Sequence, residues 1–236
     1  MVEKLLARAT SPTQYDLDDI SWSTENGLQS PTRKFFFDYL LRFKGEWSDA
    51  DILDIGCGTG WLMHLLKENG AKSVEGIEPS HKNVAYAGDN GFKIYHSDLD
   101  SFSEDKRYDL LISVMTFGHI DDLNTAFEKM ARLVRDNGGV QLIVPAYDYF
   151  KRERDGCKVE FEELDPEEYV VQVTREQGTI AEIVRKVEVY ERAAKRVGLA
   201  VEDSIPMVPT DSLMRDSPRH AAFKGQPITY LVRLRK

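Results

Sequence analysis

Asp51–Ile52–Leu53–Asp54–Ile55–Gly56–Cys57–Gly58–Thr59–Gly60 decides how the rest of the chain reads. Ile52, Leu53 and Ile55 form a short apolar run that reads as a buried strand. Three glycines then alternate with Cys57 and Thr59, and Trp61–Asn69 reads as a helix. A strand, a glycine-rich turn and a helix N-terminus together let backbone approach a ligand closely. The spacing is G-x-G-x-G, not the dinucleotide G-x-G-x-x-G, and the acidic Asp54 accompanies it. A carboxylate beside the loop disfavours phosphate and suits a cationic or amine-bearing ligand.

Outward from this loop, Lys72–Glu78 reads as a second strand, and Glu78 lies 22 residues after Gly56. That is the usual distance for an acidic residue that bonds the hydroxyls of a ribose. A third strand, Phe92–His96, is followed by Asp98, placed to bond an adenine amino group. A fourth, Asp109–Val114, ends in Met115–Thr116–Phe117–Gly118–His119. Asp121–Arg135 carries Leu123, Phe127, Met130, Leu133 and Val134 on one helical face, and Val140–Val144 reads as strand five. Strands alternating with helices predict a doubly wound α/β sheet with helices on both faces. Ligands bind at the carboxyl ends of such strands, where Gly56, Glu78, Asp98 and Met115 fall.

Together these parts, with Tyr108–Asp109 opening strand four and Asp136–Asn137–Gly138–Gly139 before strand five, resemble the class I S-adenosylmethionine-dependent methyltransferases over residues 30–145. The resemblance implies a Rossmann-like seven-stranded sheet whose last strand slots antiparallel between five and six. It implies S-adenosyl-L-methionine as cofactor and S-adenosyl-L-homocysteine as product. On this basis the cofactor residues expected in the loop are Asp54, Gly56, Cys57, Gly58, Gly60 and Trp61. Those expected at later strand ends are Glu78, Pro79, Ser80, Asp98, Leu99, Met115 and Thr116. The segment Ser30–Pro31–Thr32–Arg33, preceded by Trp22, is similar to the part of ubiquinone-biosynthesis O-methyltransferases that holds the methionine carboxylate. An arginine fork at Arg33 suits that task, because it can bind a carboxylate bidentately. Tyr15 and Trp22 read either as packing residues or as a lid over the cofactor.

The balance of 31 basic against 40 acidic residues gives a net charge of −9. That charge opposes a phosphate backbone, whose affinity comes largely from Lys and Arg, so a nucleic-acid partner is disfavoured. Of the two cysteines, Cys57 sits in the loop and Cys157 in a polar stretch, with no metal-ligand spacing between them. No metal site is expected, and a reducing, cytoplasmic setting fits. Met1–Thr10 lacks a signal-peptide core, and no run of about 18 apolar residues suggests a membrane span. Either a monomer or a homodimer is compatible with these features.

The remaining segments read as elaborations of one domain over residues 1–236: a cover and first helix at 1–45, a cofactor core at 46–145 and a substrate side at 146–236. Val2–Ala9 is an amphipathic helix over the site or a neighbouring subunit. Ser30–Pro31 starts a helix running to about Phe43, with Phe36, Phe37, Leu40 and Leu41 buried. The acidic run Glu160–Glu168 reads as a solvated face. Val170–Arg175 and Thr179–Arg185 form a β-hairpin turning at Gln177–Gly178, followed by a helix at Glu188–Val197. Leu199–Asp203 and Ile228–Leu234 are strands six and seven, with a short helix near Thr210–Arg215 between them.

Methyl transfer requires alignment of donor and acceptor, and a base only where the acceptor is protonated. His119 is the candidate base near the ends of strands four and five, and His220 a lesser one. Tyr147 and Tyr149 are candidates to line the acceptor pocket. The function read here is methyl transfer to an O, N or C atom of a small molecule. A non-catalytic cofactor-binding regulator and a methyltransferase acting on protein or RNA are the alternatives. A nicotinamide-dependent oxidoreductase is disfavoured by the loop spacing and Asp54.

Overall fold

The computed structural model describes residues 2–11, 14–16, 30–103, 105–176 and 178–236. Helix α1 (Val2–Ala9) precedes a single 3-10 turn at Gln14–Asp16, and α2 (Pro31–Leu40) carries its proline at the first turn. Proline is tolerated there because the first N–H groups of a helix have no intrahelical partner. The helix stops at Leu40, short of Phe43, and the chain tightens into a 3-10 segment over Leu41–Glu46. Its buried side is Phe35, Phe36, Tyr39 and Leu40, with Phe37 and Leu41 only partly covered. The run Phe35–Phe36–Phe37 offers two competing faces. The edge-on packing of Phe35 against Tyr39, with ring centroids 5.1 Å apart, goes with the face that is buried.

The cofactor half then runs β1 (Asp51–Ile55), α3 (Trp61–Glu68), β2 (Ser73–Glu78), α4 (His81–Asp89), β3 (Lys93–His96), β4 (Tyr108–Val114), α5 (Leu123–Leu133) and β5 (Val134–Pro145). The second half runs α6 (Tyr147–Phe150), β6 (Lys158–Asp165), β7 (Glu168–Arg175), β8 (Gly178–Arg185), α7 (Val187–Arg196), β9 (Ala200–Met207), α8 (Asp211–Asp216) and β10 (Thr229–Arg235). A seven-stranded sheet has the order β3-β2-β1-β4-β5-β10-β9. Pairing is parallel from β3 to β5, and β10 runs antiparallel to both β5 and β9. This is the Rossmann-like sheet with its last strand inserted antiparallel. The chain order reverses at β1, flanked by β2 on one side and β4 on the other, and that reversal opens a crevice at the carboxyl ends.

Alternation along the strands divides the core. Ile52, Leu110, Ile112 and Ile143 face α2 and α3, whereas Leu53, Leu111, Leu142 and Val144 face α5 and α7. The first of these clusters continues through Tyr169, Val171 and Val184 of the small sheet, so one apolar core runs from the main sheet into β7 and β8. Among the described residues, no helix is long and apolar enough to cross a membrane.

Three more elements differ from the sequence reading, of which β9 simply runs on to Met207, past Asp203. Strand β5 begins at Val134 instead of Val140, because Val134 pairs with Tyr108 before a register irregularity at Asp109. Arg135 bonds Asp109 there at 2.6 Å and Asp51 at 3.1 Å, which ties the irregular part to β1. The acidic run is a strand, β6, and the hairpin is therefore a three-stranded sheet of order β6-β7-β8. Its outer strand is an edge, where charged side chains are normal and blunt pairing with other chains. Val159 and Phe161 oppose Val173 and Val171 in this ladder. Gln177, at the expected turn, lies outside the described residues; Arg175 pairs directly with Gly178.

Gly76 of β2 has no room for a side chain. A Cβ built on it would lie 2.5 Å from Cys57 Sγ and 3.1 Å from Ile94 Cδ1. Gly76→Ala should therefore cost about 1–3 kcal/mol by overpacking. Adding Cys57→Ala, which removes the nearest atom, should return part of that loss. Paired urea unfolding curves of the single and double variants measure the coupling.

Candidate active site

The turn after β1 approaches its neighbours too closely for side chains. Gly56 has φ +71°, and a Cβ there would meet Thr116 Oγ1 at 2.3 Å. The Gly56 and Cys57 N–H groups both donate to the Ile77 carbonyl, at 2.9 and 3.1 Å, which bends the loop back over β2. Gly58 is also in the left-handed region, with φ +54°, and nothing lies within 4 Å of where its Cβ would be. Its N–H donates to Glu78 Oε2 at 2.9 Å.

Glu78 is the best-supported carboxylate of the site. Its other oxygen accepts from Ser80 N at 3.0 Å and from Asn83 Nδ2 at 3.4 Å. A carboxylate has about four acceptor positions, so these bonds orient Glu78 and leave capacity for ligand hydroxyls. Burial raises its pKa, an effect opposed by the backbone N–H bonds from Ser80 and Gly58. Asp54, behind the loop, is 2% exposed, and burial with Glu78 nearby pushes it up to about 8. Two carboxylates with unfavourable ionised forms leave this end of the crevice suited to a cation.

A cavity of about 890 Å³ opens over these strand ends. Gly56, Cys57, Gly58 and Trp61 line it from the loop, Glu78 and Pro79 from the end of β2. Asp98 and Leu99, Met115 and Thr116, and Arg33 complete that side. Arg33 lies 5.7 Å from the Trp61 ring centroid, and burial lowers its pKa. Asp98 Oδ1 accepts from Ser101 N at 2.7 Å. Met115 sits at φ 59°, a strained backbone for a non-glycine residue, held by its N–H bond to the Ile143 carbonyl.

Three of the expected residues stand behind the wall. Asp54 is enclosed, Gly60 faces Ala87 and Phe92, and Ser80 caps α4 by accepting from Asn83 N at 3.1 Å. Trp22 lies outside the described residues.

The Gln14–Asp16 turn closes the cavity over the loop. Asp16 accepts from Ser80 Oγ at 2.8 Å and from the first N–H groups of α4, those of Lys82 and His81, at 3.0 and 3.2 Å. A carboxylate at a helix N-terminus is favoured there, and these bonds lower its pKa against the effect of burial. Gln14 reaches the other way: its Nε2 donates to the Ala9 and Ala181 carbonyls at 3.2 and 3.3 Å. Between them, Tyr15 and His119 both line the cavity. His119 Nδ1 is 3.1 Å from the Ala9 carbonyl and Nε2 is 3.1 Å from Tyr15 OH. Gln14 Nε2 also lies 2.9 Å from His119 Nδ1, so the ring is held between Gln14 and the Ala9 carbonyl on one side and Tyr15 on the other. Burial pushes His119 down to about 4, so the ring is neutral at pH 7. Burial also raises Tyr15 well above its ordinary value, and the Glu182 and Glu78 charges add to this.

Tyr147 and Tyr149 are not on the cavity wall. Tyr147 packs edge-on to Tyr169, and Lys151 Nζ lies 4.2 Å from its ring centroid. Tyr149 is buried against Phe150, Phe223 and His220. Wall residues that the sequence reading did not assign to the site include Thr32, Asn83, Arg175, Ser217 and Arg219. Of these, only Thr32 falls in a segment with a readable motif.

A family model for the methyltransferase domain matches residues 28–203. The chain belongs to that methyltransferase-domain family. Among curated relatives, the ubiquinone biosynthesis O-methyltransferase of Rickettsia conorii is 28% identical over 103 residues, 41% of this chain and 35% of the relative. The chain thus spans about a third of that relative's length. A solved S-adenosylmethionine-dependent methyltransferase from Mesorhizobium loti superposes with a TM-score of 0.68 at 22% identity, covering 89% of this chain and 100% of that one. The glycopeptide N-methyltransferase MtfA, solved with S-adenosyl-L-homocysteine, gives 0.63 at 15% identity over 85% of this chain and 88% of its own. At these identities the solved structures establish the fold of this family member.

Asp54 makes a pH prediction that needs no ligand. Its folded pKa of about 8 lies above the ordinary aspartate value of about 3.9. The native chain therefore binds more protons than the unfolded chain between these values, and stability falls as pH rises through that window. Asp54→Asn removes the ionisation. The stability gap in favour of Asp54→Asn should widen from about pH 5 to about pH 8 in chemical unfolding. A gap independent of pH would contradict the buried-carboxylate assignment.

Proposed function

We propose that the chain is an S-adenosyl-L-methionine-dependent methyltransferase acting on an O, N or C atom of a small molecule, with residues 1–236 working as one domain. The observation that carries this reading is Glu78 at the end of β2, held by Gly58 N and Ser80 N with acceptor capacity left over. Ribose hydroxyls are the donors that fit it. Asp98 suits the adenine amino group, and the Arg33 fork suits the methionine carboxylate beside Trp61. Gly58 leaves space where a side chain would intrude. The pair Asp54 and Glu78 favours the ammonium and sulfonium of this ligand and opposes a pyrophosphate, which speaks against a dinucleotide.

When bound, S-adenosylmethionine supplies an electrophilic methyl group on sulfur. The chain's own residues then need to align the acceptor and exclude water. Tyr15 lines the cavity and shares a hydrogen bond with His119 Nε2, which fixes the phenol oxygen where the acceptor can meet it. His119, neutral and fixed by the Ala9 carbonyl, serves as a positioning residue for Tyr15. A small acceptor fits a cavity of about 890 Å³, and the net charge of −9 weighs against a nucleic-acid chain.

Glu78→Gln keeps the side-chain shape but turns one acceptor into a donor facing a backbone N–H. It should weaken S-adenosylhomocysteine binding about tenfold, since hydrogen bonds to a charged group contribute roughly 1.5–3 kcal/mol. Unchanged affinity in a folded variant, by calorimetry, would sink the ribose assignment. Arg33→Ala should weaken S-adenosylhomocysteine but hardly affect methylthioadenosine, which lacks the amino-acid end. Equal losses for both ligands would remove Arg33 from the carboxylate. Transfer of tritium from labelled donor into a metabolite extract separates an enzyme from a non-catalytic binder.

A further inference from the structure

The N-terminal turn meets the cavity wall through one buried amide. Gln14 is 2% exposed, and backbone groups of Ala9 and Ala181 fix which way round its amide lies. Its Oε1 accepts from Ala181 N at 3.3 Å. Its Nε2 lies 3.2 Å from the Ala9 carbonyl and 3.3 Å from the Ala181 carbonyl. Turning the amide over would set its oxygen against two carbonyls and its nitrogen against an N–H. These contacts settle the orientation that an amide otherwise leaves open.

The same nitrogen lies 2.9 Å from His119 Nδ1, the shortest of these contacts. An amide nitrogen only donates, so a bond of this length needs a bare Nδ1 to accept it. A proton on Nδ1 would instead press two N–H groups together across 2.9 Å. The Ala9 carbonyl, 3.1 Å from Nδ1, competes for that proton. It is also within reach of the amide, however, and one amide hydrogen shared between the carbonyl and Nδ1 serves both. The ring is neutral, because burial outweighs the Ala9 and Ala181 carbonyls that favour its charged form. A neutral imidazole carries one proton, and with Nδ1 bare that proton is on Nε2. Nε2 faces Tyr15 OH at 3.1 Å, the two rings standing edge-on with centroids 5.5 Å apart. His119 is then the donor of this bond and the phenol oxygen its acceptor.

The direction of that bond decides what the pair can do. With a bare Nε2, Tyr15 could pass its proton to His119 and take one from the methyl acceptor, a relay ending on the imidazole. With the proton on Nε2 the relay is blocked, since His119 turns no lone pair towards Tyr15. The phenol's own hydrogen is then not spent on His119 and can turn to a ligand atom in the cavity that Tyr15 lines.

We propose that Gln14 is a positioning residue that holds His119 as the Nε2–H tautomer, so that Tyr15 donates its hydroxyl hydrogen to the methyl acceptor and the pair removes no proton from it. The part of the acceptor that meets Tyr15 is a lone-pair-bearing atom, such as a carbonyl or carboxylate oxygen or an uncharged amine nitrogen. The proposal rests on the reading that this cavity is a methyltransferase site.

The tautomer is read directly in the full chain, labelled with nitrogen-15 and saturated with S-adenosylhomocysteine. Long-range proton–nitrogen NMR separates a protonated ring nitrogen from a bare one, and loss of the signals in His119→Gln assigns them. The expected result is a proton on Nε2; a proton on Nδ1 overturns the proposal. Gln14→Met keeps the bulk and removes the donor, and should move the proton to Nδ1, which then donates to the Ala9 carbonyl. A purely structural Gln14 would leave the proton on Nε2, an outcome that overturns the proposal equally. Should Gln14→Met not fold, Gln14→Glu gives the same reading, since a carboxylate accepts and draws the proton to Nδ1.

Activity gives an independent reading, through tritium passed from labelled donor into a metabolite extract. Tyr15→Phe should lower transfer about fivefold, the worth of one neutral hydrogen bond, while S-adenosylhomocysteine affinity stays within about twofold. An equal loss of affinity gives the hydroxyl to the cofactor, and unchanged transfer gives it no ligand; either overturns the donor role. His119→Gln offers Tyr15 an N–H but no base, and should cost less than about tenfold, whereas loss of a general base costs about 10²–10⁴. A loss of that size restores the relay and sinks the proposal. Failure of S-adenosylhomocysteine to bind sinks the cofactor reading alone, and the His119 spectrum of the ligand-free chain still decides the tautomer.

Discussion

The bond from Gly58 N–H to Glu78 is the constraint on which the site depends. It joins the turn after β1 to the end of β2, two strands that the parallel sheet already holds in register. The same carboxylate fixes Ser80, which caps α4, and α4 receives Asp16 of the N-terminal turn. One buried side chain thereby orders a loop, a helix and a cover. Its own pKa shows the balance: desolvation opposes the ionised form, and backbone donors restore much of what burial removes.

Much of the cofactor half was legible because its signals are local. The apolar run Ile52–Ile55, the alternating glycines and the acidic residue at the end of β2 each constrain backbone within a few residues. The order of the seven strands followed from the family resemblance, since no spacing rule places β10 between β5 and β9. The second half was less legible. In β6, an edge strand, Val159 and Phe161 do alternate with charged residues, but the acidic side chains that suit an edge outnumber them, so the stretch reads as a solvated face. Arg175 and Arg219 stand 44 residues apart and meet only because β7 and the Pro218–Phe223 turn close on one cavity. The tyrosines after β5 point the other way: Tyr149 supports His220 from outside the wall, which no pattern around residues 147–149 reveals.

Charge is unevenly placed around the cavity. Glu78 and Arg33 stand at the loop end, Arg175 and Arg219 line the wall elsewhere, and His119 beside Tyr15 is held neutral. Burial sets the direction of nearly every shift at the site, which raises the carboxylates and the phenol and lowers the imidazoles. The chain therefore spends little ionised charge at the middle of the cavity, where the proposed reaction would take place.

Cys57 adds a consequence of its own. Its sulfur is pressed against Gly76, and burial, Asp54 and Glu78 all raise the thiol well above its ordinary pKa. A thiolate is the strongest nucleophile among ordinary side chains at neutral pH, whereas a protonated thiol reacts slowly. In the proposed reading an electrophilic methyl donor rests within a loop that contains this cysteine. Burial, with the two carboxylates adding to it, favours the protonated thiol, the form that an electrophilic methyl group alkylates slowly.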